Sequence, residues 1–286
     1  MQKCYNRISP LLNMHRIFEK LRRWNKKRQL DRLWRSSQGD CHVDYGWIRL
    51  PYNKDGDFQE LLYHVYNREW RKNELDAFSR YVHPGDFVVD VGGNMGFVCT
   101  ILSELVGSTG KVVSFEPNPL TFKKLQQTTA INKLLNVELH NLGCGTSAST
   151  AQLSWVSNSS GHCRILDPTE NQSQLNLRTE TIQIVRLDEF LSVYPQRVAF
   201  LKIDTEGYEP GVLEGARGRI TQDKPVIYIE LAEDFKESAQ GARKILMELG
   251  YTLPGLGDLV GVSNGANFIA LPPGHKSSQA DSQETA

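Results

Sequence analysis

The regular part of the chain begins at Gly85. Phe87-Val-Val-Asp-Val91 is a short apolar run, a glycine-rich turn follows, and an apolar helix is predicted through Val106, ended by Gly107 and Gly110. Lys111 to Glu116 reads as the next strand, Pro119 to about Asn132 as a helix, and Val137 to Asn141 as a third strand. Strands that lack polar alternation are buried on both faces, and strand–helix–strand units at this spacing predict a parallel sheet covered by helices. The polar stretch Ser147 to Thr181 reads as strands and a long loop over one sheet end. Regularity returns with strands from Ile182 to Leu187, Val198 to Asp204 and Pro225 to Glu230, with a helix near Glu209 to Ile220. A helix from Ala239 to Leu249 stops at Gly250, and two late strands are expected around Tyr251 and Phe268. No internal repeat interrupts this order.

Ahead of Gly85 the pattern changes. Leu11, Met14, Ile17, Phe18, Leu21 and Trp24 recur mostly at three- and four-residue steps, which predicts an amphipathic helix. Val43 to Pro51 alternates and is aromatic, a strand or hairpin arm, and Glu74 to Val82 reads as a helix ended by His83-Pro84-Gly85. The chain thus divides into an arm (1–40), a strand-and-helix extension (41–84), an α/β domain (85–273) and a Ser/Gln-rich tail (274–286) expected to be disordered.

Charge sharpens the reading of the arm. The 286 residues carry 33 Lys+Arg and 33 Asp+Glu, yet residues 1–35 hold eleven basic residues against Glu19 and Asp31. The arm is therefore +9 and the remainder −9, and an acidic remainder argues against a nucleic-acid-binding core. Two readings of the arm follow: a helix packed on the main domain with its charges solvated, or a peripheral contact with an anionic inner membrane face. No apolar run reaches the roughly 18–20 residues that span a bilayer. The broken stretch from Ile8 to Leu12 does not read as a secretory leader. Five cysteines at irregular spacing, with no CxxC, fit neither a disulfide framework nor a zinc site and suit a reducing, cytoplasmic compartment.

The strongest chemical signal is Asp90-Val-Gly92-Gly93-Asn94-Met-Gly96, at a strand end opening a helix. Glycines let the backbone turn sharply and approach a ligand, and a helix start presents free N–H groups. The spacing is not the GxGxxG of a pyrophosphate cradle, and Asp90 beside the turn would repel a pyrophosphate. An amino-acid end, whose ammonium Asp90 could anchor through water or backbone, suits it better. Glu116, ending the second strand, sits where a carboxylate can accept both hydroxyl protons of a ribose. Either acid alone would read as a cap or a surface ion pair; their shared strand-end placement points to a cofactor. Asp204 and Glu206, at the end of the fourth core strand, and Glu230, at the end of the one after it, face the same crevice as candidate bases, hydroxyl acceptors or hard-cation ligands. Glu209 fits a plain helix N-terminus.

Taken with Phe115-Glu-Pro-Asn-Pro119, Lys202-Ile-Asp-Thr-Glu-Gly207 and Val212-Leu-Glu-Gly-Ala216, this turn resembles the FkbM-type methyltransferase family over roughly Glu74 to Pro272. The resemblance implies a Rossmann-like class I fold with a mostly parallel seven-stranded sheet flanked by helices. It also implies S-adenosylmethionine as cofactor and O-methylation of a sugar, glycan or similar metabolite hydroxyl. Asp90, Gly92, Asn94, Gly96 and Glu116 match its cofactor positions, Asn141 falls where such folds usually touch adenine, and Gly93 replaces a common alanine. Asp204 is the first choice for base, with Glu206 and Glu230 beside it. His162, in a candidate lid from Asn158 to His162, is the alternative base. No structural metal is predicted, although a divalent ion between Asp204 and Glu230 would be compatible with the residues. Two competing readings are a nicotinamide-type Rossmann oxidoreductase and a non-catalytic cofactor-binding scaffold attached through its basic arm.

Overall fold

The apolar runs become the strands of one sheet. The computed structural model describes residues 42–45, 48–51, 68–156, 163–165, 177–253 and 266–275. A hairpin of β1 (His42–Tyr45) and β2 (Ile48–Pro51) precedes helix α1 (Arg68–Tyr81). Then come β3 (Phe87–Val91), α2 (Phe97–Val106), β4 (Lys111–Phe115), α3 (Pro119–Ile131) and β5 (Val137–His140). The polar stretch follows as β6 (Gly143–Cys144), β7 (Ser149–Val156), β8 (Cys163–Ile165) and β9 (Leu177–Val185). A short α4 (Leu187–Phe190) leads to β10 (Val198–Ile203), α5 (Glu209–Gly215), α6 (Arg217–Asp223), β11 (Val226–Glu230), α7 (Lys236–Glu248) and β12 (Asn267–Ala270).

The central sheet runs β12-β11-β10-β3-β4-β5, and only β12 is antiparallel to its neighbour. The resemblance implied seven strands; among the described residues the seventh place, beyond β12, is a single antiparallel bridge between Thr252 and Leu271. The period-2 geometry of the strands sorts side chains into two cores. Val88, Val112, Phe200, Tyr228 and Ile269 face one side, under α1, α2 and α3, where Phe78 meets the rings of Phe200 and Tyr228 edge-on at 5.7 and 5.0 Å. Val89, Val91, Val113, Leu201, Ile203 and Ile229 face the other, under α5, α6 and α7. Ile48 and Leu50 of the hairpin belong to the first core, so the extension packs into the same body as the sheet.

The stretch expected to be strands and loop is a second sheet, β6-β9-β7-β8, with its own small core of Leu153, Trp155, Ile182 and Ile184. The helix expected from Glu209 to Ile220 is instead two, broken at Ala216. The break coincides with a close approach: a β-carbon on Gly215 would collide with the carbonyl of Gly145. The basic arm, the Asn158–His162 lid and the 276–286 tail lie outside the described residues.

Candidate active site

Sheet order reverses between β3 and β10, and ligands of open α/β sheets bind outside the strand carboxyl ends at such a point. A cleft with about 730 Å³ of empty space open to solvent lies there, bounded by Gly92, Asn94, Glu116, Leu142, Asp204, Glu206 and Tyr208, among others.

Behind it lies a polar row across three central strands. Ser114, Asp90 and Lys202 are register partners on β4, β3 and β10, on the face that carries Val88, Val112 and Phe200. Asp90 is wholly buried; Oδ2 accepts from Ser114 Oγ at 2.8 Å, and Oδ1 lies 3.5 Å from Lys202 Nζ. The same ammonium donates to the Gly92 carbonyl at 2.5 Å and the Val91 carbonyl at 3.3 Å, and stands 3.5 Å from Asp204 Oδ2. Directly above, Gly92 has φ +83°, and a β-carbon there would strike the Asp204 carbonyl. The turn and the β10 loop therefore touch backbone to backbone, which the Asp204 N–H reinforces by donating to Val91 O at 3.1 Å.

Glu116 is locked rather than free. Asn94 N–H donates to Oε2 and Asn118 N–H to Oε1, each at 2.9 Å. Asn118 in turn caps α3 through Oδ1, which accepts from Leu120 N and Thr121 N. Asn94 adopts φ +47°, and its buried Oδ1 has no hydrogen-bond partner. Asn141 is exposed and spends its Nδ2 on the backbone carbonyls of Glu116 and Pro117, at 2.8 and 3.0 Å. It fastens the end of β5 to that of β4, while its neighbour Leu142 lines the cleft.

Across the cleft, Asp204, Glu206 and Glu230 each bring an oxygen within 4.8 Å of the others. Glu230 is pushed up to about 10, by burial first, then by the charges of Asp204 and Glu206 and a hydrogen bond with Asp204. At neutral pH Glu230 therefore keeps its proton. Carboxylates at this spacing could also ligate a hard divalent cation. Glu209 is buried and structural: Oε1 accepts from Thr205 N, Thr205 Oγ1 and Gly207 N, and Oε2 from Ser238 Oγ. It shapes the loop that carries Asp204 and Glu206, a role beyond the helix N-terminus read from its position.

The sequence-derived residues thus fall into two groups. Gly92, Asn94, Glu116, Asp204 and Glu206 line the cleft, and Glu230 joins the last two. Asp90, Gly93 and Gly96 lie behind it. A β-carbon on Gly93 would hit Ser114 Oγ, so the serine hydroxyl fills the space of the alanine methyl that this turn commonly carries. Gly96, with φ +92°, faces Leu125 and Thr128 of α3, so close helix packing alone requires a glycine there. Leu142, Leu153 and Tyr208 were missed. Tyr208 directly follows the acid motif, but nothing in its spacing separates a cleft residue from a core aromatic; Leu153 reaches the cleft only through the second sheet.

Comparison with known proteins agrees with these motifs. The family model of the methyltransferase FkbM domain matches residues 90–253, more than half of the chain. No curated protein matches. Among solved structures, a Methyltransferase FkbM from Methylobacillus flagellatus KT is 16% identical with a TM-score of 0.45; the similarity covers 74% of this chain and 53% of that one. This chain therefore spans about half the length of that protein. The Streptococcus mutans protein SMU.1697c, solved in complex with SAH, is 13% identical (TM-score 0.43; 70% and 97% covered). Aeropyrum pernix fibrillarin, solved with natively bound S-adenosyl-L-methionine, is 14% identical (TM-score 0.41; 67% and 68% covered).

Proposed function

The chain belongs to the methyltransferase FkbM domain family, and on that premise we propose that it uses S-adenosylmethionine to methylate a hydroxyl oxygen of a sugar, a glycan or a similar metabolite. The observation that carries this reading is one cleft with a fixed carboxylate and an unpartnered acceptor on one wall and a proton-holding acid group on the other. Glu116 and Asn94 Oδ1 offer acceptors suited to the cofactor's ribose and amino-acid end. Phe115, Leu142 and Leu153 offer apolar surface for its base. Bound there, S-adenosylmethionine supplies a methyl carbon activated by the adjacent sulfonium.

The chain's own part is alignment and proton removal. Asp204, with its side chain 37% exposed, can reach an acceptor hydroxyl and take its proton. Glu230 keeps its own proton at neutral pH, so it donates toward Asp204 and steadies that carboxylate instead of acting as a second base. The carboxylates of Glu116, Asp204 and Glu206 around one cleft repel phosphate, which disfavours both a nicotinamide dinucleotide and a nucleic-acid acceptor. Among the described residues no helix is long and apolar enough to cross a membrane. A cytoplasmic enzyme touching the inner membrane face through residues 1–35 is part of the proposal.

Calorimetry with S-adenosylhomocysteine and NAD, followed by methyl transfer to a panel of glycans, tests it. Asp204→Asn should lower turnover by roughly 10² or more while cofactor affinity barely changes. Stabilisation by NAD alone would sink the reading, and loss of activity in EDTA would reassign the acids from proton transfer to a metal.

A further inference from the structure

Lys202 is a cation placed in an otherwise apolar central strand, and its surroundings are more specific than charge neutralisation needs. Only 2% exposed, it sits in the Ser114–Asp90–Lys202 row, with the buried ring of Tyr228 as its register partner on the other side. Its shortest bond, 2.5 Å, goes to the carbonyl of Gly92, not to a carboxylate. Asp90 and Asp204 flank the ammonium at equal distances of 3.5 Å. One group thereby connects the turn on the cofactor side with the carboxylate on the acceptor side, from two segments that are 110 residues apart in sequence. Buried ion pairs contribute little net stability relative to apolar packing, whereas a bidirectional tether fixes geometry.

We infer that Lys202 is a positioning residue, setting the separation between the Gly92 turn and the Asp204 carboxylate. Its role in turnover rests on the methyltransferase reading; its role in ordering the ligand-free loops does not. Lys202→Met alone confounds the test, because it leaves Asp90 charged and buried, so the informative protein is the double variant Lys202→Met with Asp90→Asn. The single variant should melt well below wild type, and the double variant should regain most of that loss. In the double variant, hydrogen exchange at the Asn94, Asp204 and Thr205 amides should nevertheless accelerate by about tenfold or more. Turnover should fall by about tenfold or more with acceptor KM little changed, the signature of lost alignment rather than lost binding. Wild-type exchange and turnover in the double variant would overturn the proposal, leaving Lys202 a mere counter-ion for Asp90. A double variant that regains no stability would overturn it too, since the two charges would not then be required as a pair. Failure of wild-type protein to bind S-adenosylhomocysteine would instead remove the methyltransferase reading, with the exchange result standing on the ligand-free protein.

Discussion

Removing the Glu116 carboxylate should damage the fold before it damages ligand binding. In Glu116→Ala the N–H groups of Asn94 and Asn118 lose the oxygens they donate to at 2.9 Å, in a region where Glu116 and Asn118 are both buried. An orphaned buried donor costs about 1–3 kcal/mol, so two cost about 2–6 kcal/mol. At about 2–4 °C per kcal/mol for a chain of this size, the ligand-free melting temperature should drop by roughly 4–24 °C. Glu116→Gln keeps one acceptor oxygen but sets an amide N–H₂ against the other donor, so it should lie between Ala and wild type. If the carboxylate also binds ribose hydroxyls, affinity for S-adenosylhomocysteine should fall by roughly ten- to hundredfold, about 1.5–3 kcal/mol. Differential scanning of the ligand-free proteins, with calorimetry at a temperature where all are folded, separates the two effects. A ligand-free melting point within about 1 °C of wild type would refute the structural half of the reasoning. An unchanged dissociation constant would move the ribose site elsewhere.

Glu230→Gln should stabilise the ligand-free protein, increasingly with pH: the folded group holds its proton up to about 10, well above the free value of 4.5. Below 4.5 both states are protonated and the contribution is complete; above 4.5 the unfolded chain ionises while the folded group stays protonated, so stability falls steadily until about 10, a loss the amide escapes. Melting curves of the two proteins across that range should diverge as pH rises, and parallel curves would exclude the buried proton. Gly96→Val should lower stability by about 1–3 kcal/mol or more, because its β-carbon would lie 2.8 Å from Leu125 Cδ1 at a backbone φ that valine rarely adopts. A stable Gly96→Val protein that merely loses S-adenosylhomocysteine would return Gly96 to the cofactor. The basic arm should carry the full chain to acidic liposomes in flotation, at about 1 kcal/mol per engaged basic residue, whereas a chain starting at Gly39 stays behind. Equal behaviour at low salt would make the arm a packed helix.

The strands were legible because parallel strands buried on both faces leave nearly continuous apolar runs, as Phe87 to Val91 and Val226 to Glu230 do. Helix limits were less so. The helix expected at Glu74 starts at Arg68, and the strand expected at Ile182 starts at Leu177, in exposed polar sequence whose pairing with β7 is decided by tertiary contact. In the site, spacing located the turn but not its inside and outside. Strand alternation puts Asp90 on the helix-covered face with Val88, beneath Gly92, so the acid nearest the glycines supports the cleft from below. Lys202 entered the sequence reading only as part of a motif; the register with Asp90 and Ser114 reveals why it is there.

The adjacency of β3 and β10 also bears on how the molecule comes into being. The two strands that frame the cleft are neighbours in the sheet, yet the second sheet and much of the first lie between them in sequence. Closing a loop of that length is entropically slow, so the central pairing belongs among the late events of folding. During synthesis, β3 can gather β4 and β5 on one side while its other edge stays unpaired until β10 emerges. Until then Lys202 and Asp204 are absent from the turn they contact, and Asp90 awaits its counter-charge. On the proposed reading, a nascent or half-folded chain would be catalytically silent, and cofactor capture would report that the middle of the sheet has been sealed.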